Sequence, residues 1–336
     1  MSRKLITIST IMTLMSTSVM ADVPNVAADI APIHSLVSKV MDGVGEPKLV
    51  IQSGASPHGY RLRPSEAKAL QDANLIFWMG EELTPWLEGA IDTLASNASV
   101  TALLDQDGIV LHDFRQGALF EAHDHDDHDD HDDHDDHDDH KDHDDHDDHD
   151  GHDDHDDHDD HDDHGHGAHD PHAWLSPENA KLWLNIIASK LSVADPENAA
   201  SYFTNAAAGQ AEIEDMVAEV SATLKPVQGG KFVVFHDAYQ YFENDFDFYA
   251  SGAISLSDAS DPSPARIARI QKRIRDEGIQ CVLAEPQFKQ GLVATVMEGS
   301  EATASVIDPL GADIKPGPML YTQLIKNMAK KIKDCL

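Results

Sequence analysis

Histidine and aspartate dominate one stretch of this 336-residue chain. From His125 to His164 every third residue is histidine, fourteen in all, and nearly every residue between them is aspartate. With His123, His166 and His169 the stretch holds 17 of the chain's 22 histidines. Neutral imidazole binds zinc, copper and nickel, and a carboxylate can complete such a site or hold the second nitrogen of a ligating ring. Strictly periodic histidine therefore points to capture of borderline transition-metal ions, beyond what a solvating polyanion would need. No apolar residue lies between His123 and Gly167, so the tract cannot bury enough surface to offset the entropy of folding. Gathering each ion costs ordering entropy, which favours many weak sites over one tight site.

Five histidines lie outside the tract, and three stand where ligands collect in α/β proteins. His58 lies a few residues beyond an apolar run at 49–51, in Gly54-Ala55-Ser56-Pro57-His58. His236 directly follows the apolar run 232–235, and His172 sits just ahead of a helix start at Ser176-Pro177-Glu178. Asp308 follows the apolar pair Val306-Ile307. Open α/β sheets bind ligands in the crevice at the carboxyl ends of their strands, so three imidazoles and a carboxylate emerging there could form one four-coordinate site. His34, on a helical pattern, and His112, at the end of an expected strand leading to the tract, read as residues satisfied by backbone partners.

The elements that must position these residues alternate in type. Strands are expected at 49–51, 75–78 and 109–111, with helices at 65–72, capped by Ser65, and 86–94. A second series follows, with strands at 232–235, 248–254, 281–283 and 305–307 and helices at 264–277 and 321–333. Between the two series, starts at Ser176-Pro177 and Asp195-Pro196 open helices, the second running to Leu224 with apolar residues at spacings of three and four. The chain thus reads as α/β, two lobes with mainly parallel sheets flanked by helices and joined by one long helix. The expected division is a first lobe at 22–194 containing the tract at 123–169, a linking helix at 195–225, and a second lobe at 226–336.

Residues 1–21 carry Arg3 and Lys4, a short apolar run broken by Ser and Thr, and Val19-Met20-Ala21 before Asp22. This is the pattern of a cleaved secretory signal and is shorter than the roughly 20 apolar residues of a membrane span. Of the formal charge of −37, the tract's 25 aspartates and one lysine account for −24. The remainder is still acidic, which excludes a nucleic-acid partner. Outside the tract and signal, about 47% of residues are hydrophobic, an ordinary globular value. The two cysteines, Cys281 and Cys335, form an even pair in an exported chain and are expected to be disulfide-bonded.

Five ordered segments resemble those of the ZnuA-type periplasmic zinc-binding proteins of bacterial ABC importers, a metal-binding solute-binding protein family. They are Gly54-Ala55-Ser56-Pro57-His58, Asp170-Pro171-His172-Ala173-Trp174, Val234-Phe235-His236-Asp237-Ala238-Tyr239, Ala284-Glu285-Pro286-Gln287-Phe288 and Ile307-Asp308-Pro309-Leu310-Gly311. The resemblance implies a rigid helix between the lobes, a Zn2+ site in the cleft formed by His58, His172 and His236, a Cys281–Cys335 disulfide, and delivery to an ABC permease by a periplasmic monomer. The family often carries an acidic residue where this chain has Pro57, so the fourth ligand is Asp308 or water.

Three functions compete on these residues: a zinc receptor with the tract as low-affinity collector, a transition-metal store in which the tract is the function, and a zinc-dependent hydrolase. No His-Glu-x-x-His motif is present for the last, although Glu285 or Asp237 could serve as a base. Three imidazoles with at most one carboxylate favour zinc over manganese. Ligating imidazoles must be unprotonated, so zinc affinity is predicted to fall below about pH 6. Calorimetric titration at pH 7 and pH 5 checks this, and an unchanged affinity at pH 5 would exclude a histidine-dominated site.

Overall fold

The computed structural model describes residues 23–115, 120, 169–255, 262–287 and 290–336. The expected signal segment and residues 123–168 of the tract lie outside them. The first lobe runs β1 (Val26–Ala28), α1 (Ala31–Val40), β2 (Lys48–Leu49), α2 (Pro64–Gln71), β3 (Leu75–Trp78), α3 (Pro85–Leu94) and β4 (Ser99–Ala102). Two long helices follow, α4 (Pro177–Ala194) and α5 (Ala199–Leu224). The second lobe runs β5 (Phe232–His236), α6 (Gln240–Phe246), β6 (Ala253–Ser255), α7 (Pro264–Glu277), β7 (Cys281–Ala284), α8 (Gln290–Met297), β8 (Thr303–Val306) and α9 (Leu320–Cys335). Among the described residues no helix is long and apolar enough to cross a membrane.

Each lobe holds a four-stranded parallel sheet, in the orders β2-β1-β3-β4 and β6-β5-β7-β8. The central strands are continuous apolar runs because helices cover both faces. Leu75–Trp78, Phe232–His236 and Cys281–Ala284 are buried throughout. In both sheets the chain leaves the first central strand for one neighbour and later returns to the other. The carboxyl ends of β1 and β3, and of β5 and β7, are therefore topological switch points, where a crevice opens.

Local chemistry sets the helix ends. Ser176 caps α4 by accepting the Asn179 N–H at 3.3 Å, with Pro177 at the first position, as expected from the sequence. The helix expected from Ser65 starts instead at Pro64. Arg63 is its cap residue, and the Glu66 carboxylate accepts the Arg63 N–H at 2.7 Å, so the reciprocal bond from Glu66 outweighs the hydroxyl of Ser65. The expected strand at 109–111 does not form. The side-chain amide of Asn179 takes the place of a neighbouring strand, accepting from Val110 N at 2.8 Å and donating to Val110 O at 2.9 Å. The segment expected as a strand from Phe248 shortens to β6, because Phe248 turns inward and stacks on Phe232 with ring centroids 5.3 Å apart. Strand β1, three residues long, and β4, whose Ser99-Val100-Thr101-Ala102 is not an apolar run, complete the first sheet.

Helix α5 has 26 residues, about 39 Å of rise, and begins after a 3-10 turn at Pro196–Asn198. It lies against α4, α1 and α9. At Gly209 a Cβ would stand 2.9 Å from Leu184 Cδ1 and 3.1 Å from Lys39 Cγ, so the close approach of α5 to α4 and α1 requires glycine there. Helix α9, at the end of the second lobe, also packs on α1 of the first. Tyr321 N donates to Ser35 Oγ at 3.0 Å, Tyr321 Oη donates to Trp174 O at 3.0 Å, and Trp174 Nε1 donates to Pro309 O at 2.8 Å. These bonds join the lobes behind the cleft.

Cys281 and Cys335 are disulfide-bonded across a sequence separation of 54, fastening the last turn of α9 to the start of β7. Closing a loop of that length in the unfolded chain is worth about 4 kcal/mol in the chain-entropy model. The double substitution Cys281→Ser with Cys335→Ser is predicted to lower unfolding free energy by about that amount, measured by denaturant melts. An unshifted midpoint would mean that packing of α9 alone carries the attachment.

Candidate metal centre

The structure brings the three imidazoles together in the cleft. His236 is the last residue of β5, at the switch point of the second sheet. His172 precedes a single 3-10 turn, Ala173–Leu175, that leads into α4. His58 stands in the connection between β2 and α2, which turns out of the sheet through Gly54 at φ +84°. The rings form a row with His172 in the middle, its centroid 5.6 Å from that of His58 and 5.2 Å from that of His236. His172 and His236 are buried and His58 is half-buried.

A buried carboxylate orients each of the two inner rings. His236 Nδ1 lies 2.6 Å from Glu285 Oε1, and His172 Nδ1 lies 2.7 Å from Asp170 Oδ1, which also accepts the His172 N–H at 3.0 Å. An ionised carboxylate only accepts, so each Nδ1 carries the proton and each Nε2 carries a lone pair. The two Nε2 atoms face each other at 3.3 Å. Burial pushes the Asp170 carboxyl up to about 6, partly offset by the His172 N–H and the charge of Arg115.

The His58 loop is fastened from the first lobe. Trp86 Nε1 donates to Pro57 O at 2.7 Å, the Trp86 ring lies 5.9 Å from that of Tyr60, and Tyr60 Oη donates to Glu66 Oε1 at 2.8 Å. Asp308 is half-buried and turned toward its own backbone, Oδ1 accepting from Leu310 N at 2.9 Å and Oδ2 from Ala312 N at 2.5 Å. Burial raises the Tyr239 hydroxyl well above its ordinary value, and the charges of Glu285, Asp308 and Glu243 add to the rise. Among the described residues no three or more His, Cys, Asp or Glu side chains stand close enough together to hold a metal ion as they are. The imidazoles form an open row.

Arg115 reaches the cleft from the segment that leads toward the tract. Its Nε donates to both carboxylate oxygens of Asp237, at 3.0 and 3.1 Å, and its Nη1 donates to Glu243 Oε2 at 2.6 Å. Burial raises the Asp237 and Glu243 carboxyls, and Arg115 opposes the rise in both. Burial disfavours the Arg115 charge, but Glu243 and Asp237 more than restore it and raise its pKa. In the sequence Asp170 stands only within a motif, and no local pattern marks Arg115. Asp237 and Glu285, candidate bases by sequence, each follow a strand carboxyl end, the one sequence signal of their place in the cleft.

His34 and His112, the two other histidines outside the tract, have backbone or neutral partners. His34 Nε2 is 3.2 Å from Pro47 O, and burial lowers its pKa. The His112 ring lies 4.6 Å from that of Tyr241, and its Nε2 is 3.2 Å from Asn244 Nδ2. Asp113 and His169 pair as an antiparallel bridge. The two ends of the chain bounding the tract thus meet beside Asp170, whose N–H donates to His112 O at 2.8 Å.

A family model described as zinc-uptake complex component A, periplasmic, matches residues 26–335. The high-affinity zinc uptake system protein ZnuA of Brucella abortus is 50% identical over 311 residues, covering 93% of this chain and 91% of that protein. Its namesake from Paracoccus denitrificans is 47% identical over 317 residues, covering 94% and 93%. A crystal structure of ZnuA superposes with a TM-score of 0.69 at 22% identity, covering 94% of this chain and 99% of that one. With these matches spanning both lobes and the cleft between them, the chain belongs to the ZnuA family of periplasmic zinc-uptake components.

Proposed function

We propose that this protein is a high-affinity periplasmic zinc receptor. His58, His172 and His236 take Zn2+ in the cleft, and the loaded protein hands it to an ABC permease at the inner membrane. The observation that carries the assignment is the pair of Nε2 atoms 3.3 Å apart. At zinc–nitrogen distances of about 2.0–2.1 Å, a tetrahedron has nitrogens about 3.3–3.4 Å apart, so these two rings already have the spacing of two ligands on one ion. His58 supplies the third imidazole, from the first lobe, and the fourth position falls to Asp308 or water. Zinc here is cargo. A hydrolytic reading is disfavoured because the carboxylates nearest the rings are engaged, Asp170 and Glu285 by imidazoles and Asp237 by Arg115.

The histidine-aspartate tract acts as a collector. The flanking residue Asp113 pairs with His169, three residues from His172, so ions held weakly by the tract are concentrated near the cleft. In this reading the protein works as a monomer, leaving a surface across both lobes for the permease.

Calorimetric zinc titration of the protein lacking residues 123–169 tests the assignment. One tight site is expected, absent when His58, His172 and His236 are changed to Ala. No tight site in the deletion protein would make the tract the binding element and the protein a metal store. Asp308→Ala in the same series separates a carboxylate fourth ligand, lost with lower affinity, from water. Glu285→Ala removes the acceptor that fixes the His236 tautomer and is predicted to weaken zinc binding about 10- to 100-fold in chelator competition. An unchanged affinity would detach Glu285 from the site.

A further inference from the structure

We propose that Arg115 sets the metal preference of the cleft by engaging oxygen donors that would otherwise be available to a cation. The inference rests on His172 and His236 being ligands. Four buried carboxylates belong to this network: Asp170 and Glu285 against the two rings, and Asp237 and Glu243 against Arg115. Asp170 and Glu285 are held by imidazole Nδ1 atoms. Asp237 and Glu243 contact the guanidinium of Arg115. Asp237 is the chain neighbour of His236 and lies within electrostatic range of both His172 and Asp170.

Carboxylate-rich sites suit manganese and other oxygen-seeking cations, whereas imidazole suits zinc. A site with three imidazoles and two unengaged carboxylates would offer a mixed donor set. The planar guanidinium matches both carboxylates at once, a geometry that a lysine ammonium cannot reproduce. It also sits 3.6 Å from the Phe120 ring centroid, which packs against the guanidinium. Arg115 is therefore a positioning residue that leaves nitrogen as the donor facing the cleft.

The test compares Zn2+ and Mn2+ affinities of the intact protein by chelator competition, for the native chain, Arg115→Gln, and Arg115→Gln combined with Glu243→Gln. The double variant keeps the formal charge of the Arg115–Asp237–Glu243 group at −1 and releases Asp237, so it remains informative if the single variant does not fold. The zinc-to-manganese affinity ratio is expected to fall about tenfold or more in either variant, and Asp237→Asn added to the double variant is expected to restore it. A general packing defect would weaken both metals together. An unchanged ratio in the double variant would overturn the role of Arg115. Absence of a tight zinc site in the native chain would instead overturn the receptor assignment itself.

Discussion

Holding buried imidazoles with one nitrogen presented to a cleft requires that each ring's other nitrogen be satisfied, and the structure is organised around that requirement. Asp170 and Glu285 meet it for His172 and His236. An acceptor fixed on Nδ1 selects the tautomer and the ring orientation together, and it raises the basicity of the nitrogen that faces the cleft. Burial of these carboxylates is unfavourable in isolation, as the raised Asp170 carboxyl reflects, so the surroundings must supply donors. The His172 N–H and Gln287 Nε2 do so, the latter at 2.8 Å from Glu285 Oε2.

The same logic extends one layer outward. Arg115 gives Asp237 and Glu243 their counter-charge, and in doing so it connects the first lobe to the second across the cleft. Losing one partner of such a buried ion pair typically costs about 3–5 kcal/mol, because the remaining charge is left uncompensated. Arg115 stands between Asp113, at the root of the tract, and Asp237, beside His236. Events at the tract's root and at the cleft therefore share a common set of contacts, along with the Asp170 N–H to His112 O bond.

Behind the cleft the lobes are joined by packing. Helix α5 contacts α4 and α9, α9 contacts α1, and Tyr321 donates to Ser35 and Trp174 while Trp174 donates to Pro309, tying segments far apart in the chain. The disulfide fixes the far end of α9 to the second sheet. With both lobes held in this way, the separations among His58, His172 and His236 are set by the scaffold, and His58, on the loop fastened by Trp86, is the least buried of the three.

The sequence alone determined the features that depend on local pattern. The periodic histidines, the apolar runs of β3, β5 and β7, the capped start of α4, the full extent of α7 and the placement of His58, His172 and His236 near element ends were all legible, because period, capping and strand ends are short-range properties. Tertiary structure decided what depends on partners distant in the chain. Asn179 replaced a strand neighbour for Val110 from 69 residues away, and Arg115 found Asp237 122 residues on. Glu285 chose the presenting nitrogen of His236 across 49 residues. No window of sequence contains such pairs, since they form only when packing brings buried donors and acceptors within reach and burial makes leaving them unpaired too costly.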